Sequence, residues 1–371
     1  QEIDRNSSDT GLDVEDYTVK LSYATDRHSV ELKLQYAVQK SDQSYLGLSD
    51  ADFADDAFRR YGISALDNIY TRHEQQILRY RFNISDQLSL TATAYNNEHK
   101  RDWFKTEGID FDGSNTAGEM SRTSWSSVVS AINMGSMLQG VEHADLWGIL
   151  NGDIDTLPGS IQIRSNAREY FSRGFELGLV AEMQTGNTSH EIEIGLRLHE
   201  DEEDRLQRNS SYHQEGGQLF LDDLGLLGNA GNRLQEAQAL AVFIHDRIEL
   251  NRLVLTPGLR FEDIDQKRTR WETRSGRTSD PASRAASNFR DSRENHTRVW
   301  LPGIGLLYDL NDRTTLVAGV HKGFTAPSNS PNVDEEEAIN YELGFRFGGS
   351  RITAEAIYFL SDYNNLLGEC T

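Results

Sequence analysis

Connections between the strand-like segments of this chain alternate, almost without exception, between a few residues and several tens of residues. Twelve segments show the period of two that a strand imposes on its side chains: 16–24, 30–36, 78–82, 88–94, 175–183, 192–198, 237–250, 253–261, 299–310, 315–324, 339–347 and 352–359. In the first, Tyr17, Val19, Leu21 and Tyr23 share one face and Thr18, Lys20 and Ser22 the other. After a turn at Asp26 and Arg27, Val30, Leu32, Leu34 and Tyr36 continue the apolar face. Further short turns fall at 83–87, at Gly186 and Asn187, at Asn251, at Asn311 and Asp312, and at Gly348 and Gly349, where glycines admit the positive dihedrals of tight hairpins. The long connections occupy about 39–76, 98–170, 200–235, 264–296 and 325–336. Such sorting belongs to an up-and-down barrel in an outer membrane, with tight periplasmic turns and long extracellular loops. The expected fold class is all-β, an antiparallel transmembrane β-barrel.

Composition narrows the function classes. No apolar run approaches the roughly 18 residues of a helical span, which excludes a helical membrane protein. Mean hydropathy is -0.61 and hydrophobic residues make up only 37%. A barrel tolerates this, because only every second strand residue faces lipid while lumen and loops stay polar. A net charge of -22 argues against nucleic acid, whose phosphates need stripes of Lys and Arg. The acidic runs 49–56, 200–204 and 334–337 are placed in outer loops, either as solvated surface or as points where a divalent cation bridges to a ligand or to lipopolysaccharide.

Cys370 stands alone one residue from the end, and a lone thiol in an oxidising compartment implies a partner in sequence beyond Thr371. Segment 16–24 ends at a short turn and 352–359 begins at one, so both chain ends point outward. Complete bacterial barrels start and finish on the periplasmic side, so further strands are expected before and after this chain.

Enzyme signatures do not survive. Pro302, Gly303, Ile304 and Gly305 contain a GxG that sits inside a strand and opens no helix, so it is no dinucleotide fingerprint. Ten histidines include no His-Glu-x-x-His and no Cys-His cluster, which leaves zinc catalysis without support. Glu191 and Glu193 share a strand face and imitate a glycosidase pair, but a charged lumen wall explains them. Residues 115–152 are the stretch that does not read as strand. Trp125, Val128, Val129, Ile132 and 137–141 have loose helical spacing, which suggests a short helix over the mouth that acts as a lid or as static packing.

The last quarter carries three ordered motifs: GVHKGFTAPS from Gly319, EAINYELGFRF from Glu337 and AEAIYFLSDYNNLLGECT from Ala354. They resemble the barrel of TonB-dependent outer-membrane receptors, in which a KGF-x-x-P-S-like turn precedes an N-Y-E-L-G strand and a D-Y-x-N-L strand. The positions that carry the resemblance are Lys322, Gly323, Phe324, Pro327, Asn340, Tyr341, Glu342, Gly344, Asp362 and Tyr363. SYLGLSDADF from Ser44, RRYGISALD from Arg59 and HKRDWFKT from His99 are similar to the ferric citrate branch, and PGLRFED from Pro257 resembles a barrel strand of the family at large. The resemblance implies a barrel of 22 strands, of which about 12 lie here, filled by an N-terminal plug that this chain lacks. It also implies uptake of an iron(III) chelate, ferric citrate or a siderophore, energised by the TonB complex. No catalytic residue, resident metal or cofactor is implied. Outer-membrane lipid and lipopolysaccharide are expected partners, in a monomer.

A mouth selective for an anionic chelate needs arginine forks and aromatic walls. Candidates are Arg59 and Arg60 beside Phe58 and Tyr61, and Lys100, Arg101 and Lys105 flanking Trp103 and Phe104. Each cluster also fits an interfacial girdle, or bases that answer lipopolysaccharide phosphates. Arg268, Arg270, Arg274 and Arg277 around Trp271 form a third basic stretch. The rival functions are a passive porin and, from another class, a soluble acidic β-rich hydrolase.

Overall fold

The structure, a computed structural model, describes residues 11–113, 122–274, 277–327 and 333–366. Its strands form one antiparallel sheet. The wall consists of β1 (Leu12–Ala24), β2 (His28–Ser41), β3 (Asn68–Ser85), β4 (Leu88–Ile109), β7 (Arg168–Thr185), β8 (Thr188–Glu215), β10 (Gly231–Leu250), β11 (Leu253–Trp271), β12 (Phe289–Asn311), β13 (Thr314–Thr325), β14 (Glu336–Gly348) and β15 (Thr353–Asn364). These are the twelve expected segments in the expected order. Three short strands sit at the long-connection end: β5 (Thr123–Ser124), β6 (Ile161–Ser165) and β9 (Gln218–Asp223). β6 continues the line of β7, since both lie between β4 and β8.

Hairpin register confirms the alternation. Tyr17 faces Tyr36, Val19 faces Leu34 and Leu21 faces Leu32. The apolar face then runs unbroken around the sheet. Ala94, Phe175, Leu198 and Leu240 occupy neighbouring ladder positions, as do Leu306 and Ala318, and Leu343 and Tyr358. Trp300 is 58% exposed, Ile194 44% and Leu343 63%, which a water-soluble sheet would not sustain along a whole face. On β7 the band covers Phe175 to Met183, close to the ~9–11 residues a tilted strand needs to cross the hydrocarbon core. The opposite face carries Lys33, Tyr95, Arg197, His245, Gly303 and Gly305, the polar and small residues of a lumen wall.

Two expectations need correction. The long connections are shorter than 39–76, 98–170, 200–235, 264–296 and 325–336, because the strands run on: β8 has 28 residues, β12 has 23 and β4 has 22. The acidic run 200–204 therefore lies within β8 rather than in a loop. Beyond the membrane both faces meet water, so alternation fades, while the backbone ladder persists because its hydrogen bonds do not depend on side-chain polarity. At the turns, Gly186 (φ 60) and Asn251 (φ 54) are left-handed, but Gly348 and Gly349 are not.

Above the sheet the connections fold on one another. α1 (Asp50–Asp55), a 3-10 turn at Gly62–Ser64, α2 (Trp125–Met134) and α3 (His143–Asn151) enclose a core that includes Ile63, Trp125, Val128, Leu146, Leu150 and Ile163. The helical spacing read in 115–152 thus yields two helices, with 114–121 outside the described residues. Cys370 also lies outside them.

Candidate functional site

The cap holds the first candidate cluster. Asp52 is buried on α1 and accepts from Tyr61 Oη (2.6 Å), Ser49 Oγ (2.7 Å), Arg59 Nη1 (2.7 Å) and Trp147 Nε1 (2.9 Å). Burial alone would raise this carboxyl. The hydrogen bonds from Tyr61, Ser49 and Trp147, with the charge of Arg59, outweigh it and hold Asp52 below the ordinary carboxylate range. Arg59 also donates to Asn151 Oδ1 (2.5 Å) and lies over the Trp147 ring. Arg60 donates to the backbone carbonyls of Ser64 and Asp67. Both guanidinium groups are thus committed inside the cap, while the neighbouring Phe58 is 80% exposed.

The second cluster stands on the lumen face of β4. Lys105 Nζ sits 3.6 Å from the centre of the Tyr45 ring and pairs with Glu107 at 2.9 Å, and Arg164 on β6 reaches the same carboxylate at 3.2 Å. Trp103 meets Tyr45 edge-on at 4.9 Å, with its indole Nε1 buried and without a partner among the described residues. Lys100 points to the other face, paired with Glu169 at 2.6 Å. Arg101 faces the lumen, and its Nε is buried without a partner among the described residues.

Arg101 turns out to be one end of a row that sequence reading alone does not reveal. Sheet register aligns Arg101, Arg168, Arg205, Arg233 and Arg270 on five adjacent strands. The rung beneath carries His73, His99, Tyr170, Glu203, Gln235, Arg268 and Arg293. All face the lumen, above the level of the apolar band. The counter-charges within these rungs are Glu203, which accepts from Arg205 and, at 3.0 Å, from Arg233, and Asp291, held by a two-pronged contact from Arg270. Seven arginines therefore meet two carboxylates. Burial and the neighbouring Arg270, Arg293 and Arg233 push the Arg268 guanidinium down, and burial with Arg205 does the same to Arg233. Nε of Arg233 and both Nε and Nη2 of Arg268 are buried without partners among the described residues. Such a wall is short of anions. It suits a multiply charged carboxylate ligand, because guanidinium forks match carboxylate geometry.

Of the three basic stretches, Arg101, Arg268 and Arg270 join this row. Arg59, Arg60 and Lys105 lie in or beneath the cap, and Arg274 and Arg277 lie beyond the end of β11. Arg168, Arg205, Arg233 and Arg293 escaped the sequence reading because each stands singly among acidic or polar neighbours.

The motif residues build the last three strands. Lys322 pairs with Glu337 at 2.5 Å, Asn340 accepts from Ser361 at 2.6 Å, and Pro327 is fully buried. Phe324 lies opposite Glu337, Tyr341 faces outward opposite Leu360, and Glu342 faces the lumen. Gly323 sits beside Asn340, and Asp362 and Tyr363 lie opposite Ile339 and Ala338. A Cβ on Gly344 would fall 2.3 Å from the Ala356 carbonyl oxygen, so only glycine lets β14 and β15 approach as they do.

Comparison with known proteins agrees with this architecture. A curated relative, the ferric enterobactin receptor of Pseudomonas aeruginosa, is 22% identical over 202 residues, covering 47% of this chain and 23% of that protein. Among solved structures, the unliganded ferric citrate transporter FecA superposes with a TM-score of 0.69 at 21% identity, covering 96% of this chain and 44% of that one. The ferric-catecholate import receptor Fiu of E. coli K12, in its open form, gives 0.62 at 12% identity, covering 98% and 54%. The chain thus spans about half the length of these structures. These relatives are receptors and transporters rather than enzymes. A family model described as "TonB dependent receptor-like, beta-barrel" matches residues 5–370. The chain belongs to the TonB-dependent receptor β-barrel family of the Gram-negative outer membrane.

Proposed function

We propose that this chain forms the wall and mouth of a receptor that captures a carboxylate-bearing ferric chelate, of the ferric dicitrate type, for TonB-energised uptake. The observation that carries the reading is the lumen-facing arginine row Arg101, Arg168, Arg205, Arg233 and Arg270, with Arg268 and Arg293 beneath it. In a chain of net charge -22, seven arginines facing the lumen are a local reversal of sign, and they concentrate an anion where field lines are confined. The likeness to a ferric citrate transporter supports the same chemistry. The row's buried, unpartnered nitrogens call for an anionic chelate, and a neutral ligand would leave them unanswered. The energising TonB complex would act through sequence outside these strands, and the cap would close the mouth above the row.

The test is a binding titration of ferric dicitrate against the protein purified from outer membranes in detergent. Arg205→Ala with Arg233→Ala removes two charge-assisted partners, each worth about 1.5–3 kcal/mol, so affinity should fall at least tenfold. Binding should also weaken as salt rises. Equal affinity in the double variant would remove the row from the ligand site.

A further inference from the structure

We propose that Asp263, Asp265 and His296 form a divalent-cation site on the lipid-facing side of the wall, at headgroup level, that clamps the phosphate of an outer-leaflet glycolipid to the barrel. On β11 the two aspartates are two residues apart on one face, and on β12 His296 stands opposite Asp265 in the ladder. One ligand atom from each of the three residues lies within 4.8 Å of the others. The imidazole Nδ1 is 2.7 Å from Asp265 Oδ1, and Nε2 is 3.5 Å from Asp263 Oδ1. Sheet register, rather than a loop, fixes this set, so the ligands are pre-positioned. One imidazole and two carboxylates, all open to the outside, suit Zn2+ or Mn2+ and leave coordination positions free for an oxygen ligand.

The surroundings define that ligand. A groove of about 1050 Å³ extends from the set across β10, β8 and β7. Its lower part is Phe175, Leu198 and Leu240, the top of the apolar band, and its rim carries Arg173 and Arg298. Acyl chains would lie along this floor as they do along the rest of the band, with the headgroup at the charged rim. Both arginines are already paired, Arg173 with Glu200 and Arg298 with Asp263 at 2.8 Å, so the groove is net acidic and would repel a bare phosphate. A bound cation reverses that sign and makes the groove complementary to a phosphorylated amphiphile. The competing account is a plain polar ladder in which the His296 ring bridges the two carboxylates. The site lies on the opposite face of the wall from the arginine row, three residues from Arg268 along β11, and does not depend on which chelate the lumen takes.

The experiment uses protein purified in detergent, stripped with EDTA and titrated calorimetrically with Zn2+ and with Mn2+. One equivalent should bind, and affinity should fall at least tenfold in Asp263→Asn with Asp265→Asn and in His296→Gln, while Arg205→Ala with Arg233→Ala leaves it unchanged. Heat-modifiable mobility on gels reports that each variant is folded, and His296→Gln alone suffices if the double aspartate variant is not. In micelles containing bisphosphorylated lipid A, retained lipid should rise with the metal and drop on EDTA, whereas dephosphorylated lipid A should be retained no better than by the variants. Absence of metal binding, or equal binding by the variants, overturns the cation site. Lipid retention that ignores EDTA and phosphate overturns the clamp.

Discussion

Asp52 and Arg59 form a salt bridge at 2.7 Å within a network of four side-chain donors to one buried carboxylate. Arg59→Ala would leave that carboxylate without its cation and free the Asn151 amide oxygen. The expected cost is about 1–3 kcal/mol, because the guanidinium is partly exposed and screened. Hydrogen exchange should quicken across 125–151 while the wall strands stay protected; uniform protection in the variant would show that Arg59 does not hold α3 in the cap. The same carboxylate sets an acid limit. A pKa held below its unfolded value contributes stability above the unfolded value, about 3.9, which is lost as pH falls through the folded value. Asp67, raised by burial, has the opposite sign and favours the cap on the acid side. Asp52→Asn should therefore flatten the loss of cap protection to which Asp52 contributes as pH falls below about 4. At this scale Arg59, Arg60, Arg101 and Lys105 were visible in the sequence as bases beside aromatics. Their partners were not, since Asn151 lies far along the chain from Arg59 and is brought to it only by the packing of α3.

Strand identity was legible wherever one face meets lipid and the other does not. It faded where both meet water, so the outer halves of β4, β8 and β12 read as loops although their ladders continue there, with register shifts at Thr106/Gly108 on β4 and at Arg270/Trp271 opposite β12. The glycines of the last three strands have an element-level role. Gly344→Val would drive a side chain into the Ala356 carbonyl and Ile357, separating β14 from β15. Overpacking of that kind costs about 1–3 kcal/mol. Refolding into detergent micelles, followed by urea titration, should show a lower midpoint than for Gly348→Ala, where a Cβ meets nothing within 4 Å. Equal midpoints would mean that the β14–β15 spacing is not set by Gly344.

For the molecule as a whole, the decisive question is which face meets lipid. Ile194 lies on the apolar band and Glu193 beside it on the lumen face. Ile194→Arg should cost about 2–4 kcal/mol of insertion stability, depending on depth, and Glu193→Arg should be tolerated. The reverse order in urea titrations of membrane-inserted protein would exchange lumen and lipid sides, and with them the arginine row and the cation groove. The sequence by itself determined the all-β class, the twelve wall strands, their turns and the family, because alternation and short motifs are local properties that survive without partners. Only the tertiary structure decided the site. Arg168, Arg205 and Arg233 are tens of residues apart along the chain and become neighbours through ladder register, and the cap becomes a folded unit because three separate connections share one apolar core. Register and long-range packing depend on every intervening turn and bulge, so no single segment records them.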